Sequence, residues 1–446
     1  MSSARSAREA AFLVLRAKGL STRRLEEFAS PLEPRERSFA RALVAGVERR
    51  RATLDAVAAA YARSPGMAAG ARAALRIGLY QILFFERVPP YAAVSETVAL
   101  ARREGSKAAG FVNALLRSVL REIEIAPAAA GDRTDARTLL AGGRRLRFGR
   151  EVFADPEKDP VGHLAAIHSL PRFLVARWLE RHGSDLAHEM FEASNAVPPI
   201  VLRVRRTRRE ALARALTARG FAAEAGERAD ALRLPAESPG LFETPEFLEG
   251  RLVVQDETAM AVADLLRPER GQRILDLCAA PGGKATHLAD LVEDEAEIVA
   301  CDVSERRLAP LRENLARLGL RSVRAVVTGP AALEALAGGF DRVLVDAPCS
   351  NTGVLARRPE ARWRVTPANL RPLAEAQRRL LGDGLDLLRA RGRLVYSTCS
   401  VEPEENEAVV EAALRRRRGV RLVESRETLP STAADGGFAA VLEKVS

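Results

Sequence analysis

Apolar positions in the first 125 residues recur at the spacing of a helix. Every third or fourth residue is apolar, which places these side chains on one helix face. The clearest examples are Leu75, Leu79, Ile82, Leu83, Val112, Leu115, Leu116 and Val119. Strand-like alternation of apolar and polar residues is not evident in this stretch. The pattern predicts an all-helical region over residues 1–125.

The pattern changes after this region. Residues 126–160 are rich in Gly, Asp, Arg and Pro, and we interpret them as a partly flexible linker. Residues 161–255 combine both periods. A helix is predicted through Arg172–Arg181, a strand at Ile200–Val204 and a second helix near Arg209–Arg219. This combination predicts a small α+β unit.

From residue 256 to residue 446, short apolar runs alternate with helical segments. Strands and helices in alternation are typical of a parallel α/β sheet covered by helices. The predicted strands are Arg273–Leu277, Ile298–Cys301, Val323–Val327, Arg342–Val345 and Arg393–Tyr396.

Charge adds a class of partner to this picture. The 446 residues carry a formal net charge of +10, which favours an anionic partner, with RNA or DNA the usual candidates. Solvated, arginine-rich helix faces are the alternative explanation of the excess. Five neighbouring arginines, at the end of the predicted Ile200–Val204 strand and just after it, form a candidate phosphate-contacting patch. They are Arg203, Arg205, Arg206, Arg208 and Arg209.

The cysteines and the ends of the apolar runs exclude several classes of protein. None of the four cysteines forms a CxxC pair, and no Cys/His spacing predicts a metal site. The first residues lack the apolar run of a signal peptide, and no apolar stretch has the length of a membrane span. We therefore expect a cytoplasmic protein, in a reducing compartment, with free thiols available for chemistry.

One strand-to-helix turn indicates a cofactor site. The strand that ends at Asp276 runs into Cys278-Ala279-Ala280-Pro281-Gly282-Gly283-Lys284, where small residues let a ligand approach the backbone closely. Asp302 ends the next strand, where an acidic residue commonly holds the ribose hydroxyls of a nucleoside. The glycines do not form GxGxxG, so a dinucleotide is disfavoured. We predict a nucleoside cofactor.

Two further strand ends carry thiols. Asp346-Ala347-Pro348-Cys349-Ser350 and Ser397-Thr398-Cys399-Ser400 each follow a predicted strand, so both thiols should reach the same sheet edge as the cofactor. A thiolate that adds to C6 of cytosine makes C5 nucleophilic enough to accept a methyl group. A carboxyl group such as Asp346 can stabilise charge near N3, and a base must remove the C5 proton. These residues alone leave open which cysteine attacks.

Together these motifs resemble the bacterial small-subunit ribosomal RNA cytosine-5 methyltransferases of the RsmB or Sun group, over nearly the whole chain. The cofactor turn, Asp302, Asp346–Ser350 and Thr398-Cys399 carry the similarity, as does Val401–Asn406. The helical region resembles NusB, an RNA-binding fold, through Arg35-Glu36-Arg37 and Phe111–Arg117.

The resemblance implies a class I, Rossmann-like methyltransferase domain that uses S-adenosyl-L-methionine to methylate a cytosine of 16S ribosomal RNA. It implies that Cys399 is the nucleophile, that Cys349 assists product release and that Asp346 belongs to both the catalytic and the cofactor sites. The cofactor residues that it implies are Cys278, Ala279, Ala280, Pro281, Gly282, Gly283, Lys284, Asp302 and Asp346.

One stretch departs from the family pattern. The family's Gly-Asp pair after the third strand, whose Asp contacts adenine, is replaced by Thr328-Gly329-Pro330-Ala331, and the nearest downstream acid is Glu334. We therefore expect the backbone or another residue to contact adenine. A transfer RNA cytosine-5 methyltransferase and a non-catalytic RNA-binding or ribosome assembly factor are the alternative functions.

Overall fold

The computed structural model of the chain describes residues 4–17, 22–62, 66–329, 336 and 339–445. It contains two compact units. The first comprises Met1–Asn195 and Arg358–Trp363, and the second comprises Ala196–Arg357 and Arg364–Ser446. The predicted division into residues 1–125, 126–160, 161–255 and 256–446 stays a prediction, because compactness separates only these two units.

The first unit is mainly helical, as predicted. Residues Val112, Leu115, Leu116 and Val119 are all buried in its core, so the apolar face read from the sequence is the packed face. The helices are α1 (Ala7–Arg16), α2 (Thr22–Ala29), α3 (Pro34–Arg49), α4 (Arg51–Tyr61), α5 (Ala69–Phe84), α6 (Pro90–Ala101), α7 (Ser106–Glu122), α8 (Pro160–Ile167) and α9 (Arg172–Asn195), which is interrupted at Gly183.

The predicted linker is wrong over its first half. Its residues form an antiparallel sheet of β1 (Ile123–Pro127), β2 (Thr138–Ala141) and β3 (Arg144–Phe148), in the order β1-β3-β2. Gly142 and Gly143, with φ of 59° and 71°, make the two-residue turn of a β2–β3 hairpin. The glycines that suggested a flexible linker therefore mark a tight turn, and the hairpin's apolar side chains join the helical core.

The second unit begins with an antiparallel sheet, which confirms the predicted α+β character of this part of the chain. Leu202, Leu212, Leu216 and Leu232 pack between the sheet and its helix and are almost completely buried. The elements are β4 (Ile200–Val204), α10 (Arg209–Ala218), β5 (Glu224–Ala225), β6 (Ala231–Leu234), α11 (Pro245–Leu248) and β7 (Leu252–Val254), with strand order β5-β6-β4-β7.

The remainder of the second unit is a seven-stranded mixed sheet with helices. Its strands are β8 (Arg273–Asp276), β9 (Glu297–Asp302), β10 (Val323–Val327), β11 (Phe340–Asp346), β12 (Leu388–Thr398), β13 (Val420–Thr428) and β14 (Gly437–Lys444). The helices of the described chain here are α12 (Glu257–Leu265), α13 (Gly283–Leu291), α14 (Glu305–Leu318), α15 (Pro367–Leu387) and α16 (Glu407–Arg416).

The strand order is β10-β9-β8-β11-β12-β14-β13. The five predicted strands pair in parallel, whereas β14 runs antiparallel to both of its neighbours. The sequence-based prediction lacks β13 and β14. Strand β13 is a largely exposed edge strand without a clear apolar period, whereas β14 is buried. Among the described residues, no helix is both long and apolar enough to cross a membrane.

This topology brings the predicted chemistry to one edge of the sheet. Strands β9, β8, β11 and β12 are neighbours, and their carboxyl ends carry Asp302, Asp276, Asp346 and Thr398. Ligands of open α/β sheets bind at this edge, outside the carboxyl ends of the strands. The fold therefore gathers residues that lie more than one hundred positions apart in the sequence.

Candidate active site

The predicted cofactor turn lies between β8 and α13 and approaches its neighbours closely. Gly282 has a φ of 109°, and a Cβ at this position would lie 2.5 Å from Leu311 Cδ1. Only glycine meets both conditions. The backbone N–H of Ala279 donates to the carbonyl of Cys301 over 2.8 Å, which ties the turn to the end of β9. The turn is therefore a shaped backbone surface rather than a loose loop.

Asp302 lies beside this turn and is 3% exposed. Its carboxylate accepts hydrogen bonds from the backbone N–H groups of Ala280, at 3.2 Å, and Val303, at 2.8 Å, and from the guanidinium of Arg307. The Val303 side chain is 73% exposed, although valine is normally buried. A held carboxylate next to an exposed apolar side chain suits the ribose and the flat base of a nucleoside, so these residues fit the predicted cofactor.

Asp276 is buried beneath the same edge, with 1% of its surface exposed. Burial, followed by the nearby charge of Asp346, raises the pKa of Asp276 to about 7. The carboxyl group therefore holds its proton to a much higher pH than an ordinary aspartate does.

Lys284, predicted within the cofactor turn, makes an ion pair with Asp346. Its Nζ lies 2.7 Å from Asp346 Oδ2, and Ser397 Oγ donates to Asp346 Oδ1 over 2.8 Å. Burial acts to lower the pKa of Lys284, but the Asp346 carboxylate outweighs it and holds that pKa above its ordinary value. This pair joins the cofactor turn to the strand end that precedes the first thiol.

The two predicted catalytic cysteines lie side by side. Cys349 Sγ and Cys399 Sγ are 3.2 Å apart and share a hydrogen bond, and the Cys399 thiol also donates to Asn351 Oδ1 over 3.3 Å. The hydrogen bond with Cys399, together with burial, raises the pKa of Cys349 well above that of an ordinary thiol. Cys349 is therefore a thiol at neutral pH.

The other two cysteines lie outside this thiol pair, Cys301 within the core of the sheet and Cys278 packed against it. Burial, reinforced by Asp276, raises the pKa of Cys278 and brings that of Cys301 to about 12. A thiol that stays protonated is a poor nucleophile. Cys278 therefore contributes backbone to the cofactor turn, and Cys301 packs in the core.

Glu405 connects the two cysteine loops and was not singled out from the sequence as a site residue. It is completely buried. Its carboxylate accepts from the Ser350 backbone N–H at 2.9 Å and from the Ser350 hydroxyl, both beside Cys349. It also accepts from Ser400 Oγ at 2.6 Å, beside Cys399, and from Gln377 Nε2 at 2.9 Å on α15. One carboxylate therefore holds the residues that follow both thiols.

Further bonds fix the loop after Cys399. Thr398 Oγ1 donates to Asn406 Oδ1 over 2.6 Å, and Asn406 Nδ2 donates to the Ser400 carbonyl over 3.0 Å. The Tyr396 hydroxyl donates to the Glu405 carbonyl over 2.6 Å. The position of Glu405 and Asn406 just after the second thiol motif was the available sequence signal. Two partners of Glu405, Ser350 and Gln377, lie too far along the chain to be inferred.

A cavity of about 520 Å³ opens over the ion pair and the second thiol. This volume lies within the range of small-ligand sites, roughly 300–1,000 Å³. Lys284, Asp346 and Cys399 contribute to its lining, together with residues of α12, β13 and the segment before β14. The cavity therefore joins the predicted catalytic residues to a part of the sheet that the sequence reading missed.

The predicted arginine patch is only partly a surface. Arg203 and Arg205 are 2% and 3% exposed, and both guanidinium groups bind Asp290 on α13. They cannot contact phosphate in this arrangement, so the prediction is wrong for these two residues. Arg206 and Arg208 are exposed and Arg209 is half-buried. The reason is geometric: alternate residues at the end of β4 face inward.

The sequence predicted no metal site. Among the described residues, no group of three or more His, Cys, Asp or Glu side chains could hold a metal ion.

The stretch that departs from the family pattern is only partly described. Thr328 donates its backbone N–H to the Asp302 carbonyl over 2.9 Å. Pro330, Ala331 and Glu334 lie outside the described residues.

Comparison with known proteins identifies three regions. Residues 5–121 match the NusB family, residues 170–239 match the RsmF/B-like ferredoxin-like domain and residues 263–440 match the 16S rRNA methyltransferase RsmB/F family. The chain is 36% identical to ribosomal RNA small subunit methyltransferase B of Pseudomonas syringae pv. tomato, over 87% of this chain and 81% of that protein. It is 34% identical to its namesake from Escherichia coli, over 82% and 80%.

Solved structures support the same fold. The crystal structure of PH0851 covers 99% of this chain and 98% of its own, with a TM-score of 0.79 and 24% identity, which shows the fold. A methyltransferase homologue from Pyrococcus horikoshii is 30% identical, with a TM-score of 0.57, and covers 64% of this chain and 99% of its own. With its NusB domain, its ferredoxin-like domain and its Rossmann-like sheet, the chain belongs to the RsmB/F family of 16S rRNA methyltransferases.

Proposed function

We propose that the chain methylates C5 of a cytosine in 16S ribosomal RNA through a covalent bond between Cys399 and C6 of the base. The observation that carries this proposal is the pair of thiols 3.2 Å apart, with Cys399 in the lining of the cavity that Asp346 also lines. Transfer to an oxygen or to an exocyclic nitrogen needs no thiol nucleophile, so this arrangement favours carbon methylation.

S-adenosylmethionine, when bound, supplies an electrophilic methyl group. The residues that would hold it are the turn from Cys278 to Lys284 and the Asp302 carboxylate, which would receive the ribose hydroxyls. Arg307 already shares Asp302, so the hydroxyls would bind beside a partly neutralised carboxylate. Asp346 borders both the cofactor turn, through Lys284, and the base cavity.

The thiol of Cys399 loses its proton to solvent and its sulfur adds to C6, which forms an S–C6 bond. The electrons of the C5–C6 double bond shift toward N3, which takes up a proton from solvent, and the Asp346 carboxylate in the cavity lining would stabilise the protonated N3. Once C5 has received the methyl group, its remaining hydrogen leaves as a proton to a base. The C5–C6 double bond then forms again as the S–C6 bond breaks, which returns the thiolate of Cys399, and N3 gives its proton back to solvent.

Cys349 assists this last stage in our proposal. The shared hydrogen bond places it against the attacking sulfur. Because its raised pKa keeps it a thiol at neutral pH, Cys349 must first give its proton to solvent before its thiolate can accept the C5 proton. It is not needed for addition to C6. The two cysteines therefore have separable roles.

Trapping the covalent intermediate tests the assignment. Cys349→Ala, incubated with unmodified 16S RNA and cofactor, should accumulate a protein–RNA adduct that migrates slowly on a denaturing gel. Cys399→Ala and the double variant should give no adduct and no transfer of labelled methyl. If Cys399→Ala traps RNA and Cys349→Ala does not, the two roles are exchanged.

The identity of the RNA is part of the proposal. The E. coli and P. syringae relatives are named as ribosomal RNA small subunit methyltransferases, which supports 16S RNA as substrate and the cytoplasm as the place of reaction. The helical region that matches NusB would contribute to RNA binding. Methyl transfer should be measured on 16S RNA and on bulk transfer RNA side by side. Preferential methylation of transfer RNA would overturn this substrate.

A further inference from the structure

The cavity over the thiols contains many charged side chains, and its acidic residues are all paired. Asp346 pairs with Lys284 at 2.7 Å, and Glu424 pairs with Arg393 at 3.4 Å. The other acids in the lining pair with arginines of the same unit: Glu227 and Glu257 with Arg233, Asp264 with Arg228, and Asp256 and Asp435 with Arg357. Each acid of this lining therefore has a basic partner, and Arg233 and Arg357 each serve two acids.

Arg426 differs from the other cations in this lining. It lies on β13, is exposed, and has no acidic partner within ion-pair distance among the described residues. Glu424, Arg426 and Thr428 line the cavity at alternate positions, which is the spacing of one strand face. The cavity therefore has one guanidinium that makes no ion pair with any described acidic side chain.

We infer that Arg426 binds a backbone phosphate of the RNA strand next to the target cytosine. This inference rests on the proposed function. A base that reaches Cys399 must leave its stack and enter the cavity, while its sugar and phosphates stay toward the opening. Arg426 is exposed at this cavity, and a guanidinium with free donors is well suited to phosphate oxygens. The contact positions the strand and carries no information about its sequence.

The same strand provides a matched control. Arg421 also lies on β13. In the pairing of β13 with β14, Arg421 is opposite Glu443 and Arg426 is opposite Ala439, and these two β14 residues are four positions apart. The two arginines therefore share one face of the sheet. Arg421 Nη2 lies 2.7 Å from the Glu443 carboxylate, and Arg421 is not part of the cavity lining. The two arginines therefore lie on the same strand, but only Arg421 has an acidic partner among the described residues and only Arg426 lines the cavity.

The experiment measures binding of unmodified 16S RNA to the full chain over a range of salt concentrations. Arg426→Ala should weaken binding about tenfold at low salt and reduce the slope of log K against log salt by about 0.7 to 1, which corresponds to one lost phosphate contact. Arg421→Ala should leave the slope unchanged, and Arg426→Lys should retain it. In methyl transfer, Arg426→Ala should raise KM for RNA with kcat nearly unchanged.

Equal slopes for Arg426→Ala and Arg421→Ala would overturn the phosphate contact, even if the wild-type chain methylates 16S RNA normally. A wild-type chain that binds 16S RNA but transfers no methyl group would instead contradict the proposed function, and the slopes would still report on Arg426. A decrease in kcat without a change in slope would also overturn the inference, because it would give Arg426 a role at the reacting base. Affinity for the cofactor serves as the check that each variant is folded.

Discussion

The cofactor side and the thiol side of the active site lie at one sheet edge but are held by different kinds of contact. On the cofactor side, Asp302 is held partly by its own neighbourhood, through the N–H of Val303 and the side chain of Arg307. On the thiol side, Glu405 holds Ser350, 55 positions away, and Gln377, 28 positions away. The first is built largely from local backbone and the second from distant side chains.

This difference sets how each side should respond to substitution. Arg307, a partner of Asp302, is about half exposed, so solvent can replace much of what is lost there. Glu405 is completely buried with several donors aimed at it, and solvent cannot replace it. A change on the cofactor side should weaken binding of one ligand. A change on the thiol side should displace the reacting groups themselves.

The largest effect is expected for Glu405→Gln. The amide keeps the shape but puts an N–H₂ group where a carboxylate oxygen now accepts hydrogen bonds, so a buried donor would face another donor. We expect kcat to fall about 100- to 1,000-fold, or roughly 3–4 kcal/mol, with the cofactor dissociation constant nearly unchanged. Single-turnover methyl transfer and calorimetric titration measure the two quantities.

Glu411→Gln is the matched control, since Glu411 is 62% exposed on α16 and pairs only across one helical turn with Arg415. It should leave kcat unchanged. If Glu405→Gln retains normal kcat, then Glu405 does not position the thiols. If its cofactor affinity falls as well, the damage is a general loss of structure.

The next effect concerns the buried carboxyl group between the two sides. The pKa of Asp276 is raised from 3.8 to about 7, so the folded chain holds this proton more tightly than the unfolded chain does. The contribution to the free energy of unfolding is therefore complete below about pH 4 and is lost as the pH rises from 4 to 7. Asp276→Asn cannot ionise. Its free energy of unfolding should exceed that of the wild type by about 2–4 kcal/mol at pH 8.

Urea unfolding at pH 4 and pH 8 measures this effect. The advantage of the variant at pH 8 should shrink by the same 2–4 kcal/mol on going to pH 4, where both proteins carry a neutral group. An advantage that does not depend on pH would mean that Asp276 has the same pKa in the folded and the unfolded chain, so that burial does not raise it.

The smallest effect is expected on the cofactor side. Asp302→Ala should weaken binding of S-adenosylmethionine by about 1–3 kcal/mol, the cost of losing hydrogen bonds to a charged group. Arg307→Ala, which leaves the carboxylate in place, should change affinity by less than 1 kcal/mol. Calorimetric titration of both variants gives the comparison. Equal affinities of Asp302→Ala and the wild type would remove Asp302 from the ribose site.

Much of the fold could be predicted because the signals are local. The five parallel strands are continuous apolar runs, and each candidate catalytic residue directly follows such a run. The same stretches of sequence therefore predicted both the ends of the strands and the reactive residues at those ends. The hairpin of β2 and β3 was missed because Gly142 and Gly143 serve tight turns as well as flexible segments. Strand β13 was not predicted because an exposed edge strand has a weak pattern. Strand β14 is a buried apolar run, a signal that the sequence-based prediction overlooked, and the two strands form one wall of the cavity.

The sequence by itself determined which reactive groups are present and at which edge of the sheet they meet. It could do so because the hydrophobic periodicity that defines each strand, and the residue type at its end, are contained in a few neighbouring positions. Only the tertiary structure decided which charges are free to act. Arg203 and Arg205 read as a phosphate patch but are neutralised by Asp290, about 85 positions later. Lys284 read as part of a ligand turn but pairs with Asp346. Arg426 went unnoticed, yet no described acidic group balances its charge. Electrostatic pairing acts between residues that folding brings together, so a one-dimensional pattern cannot contain it.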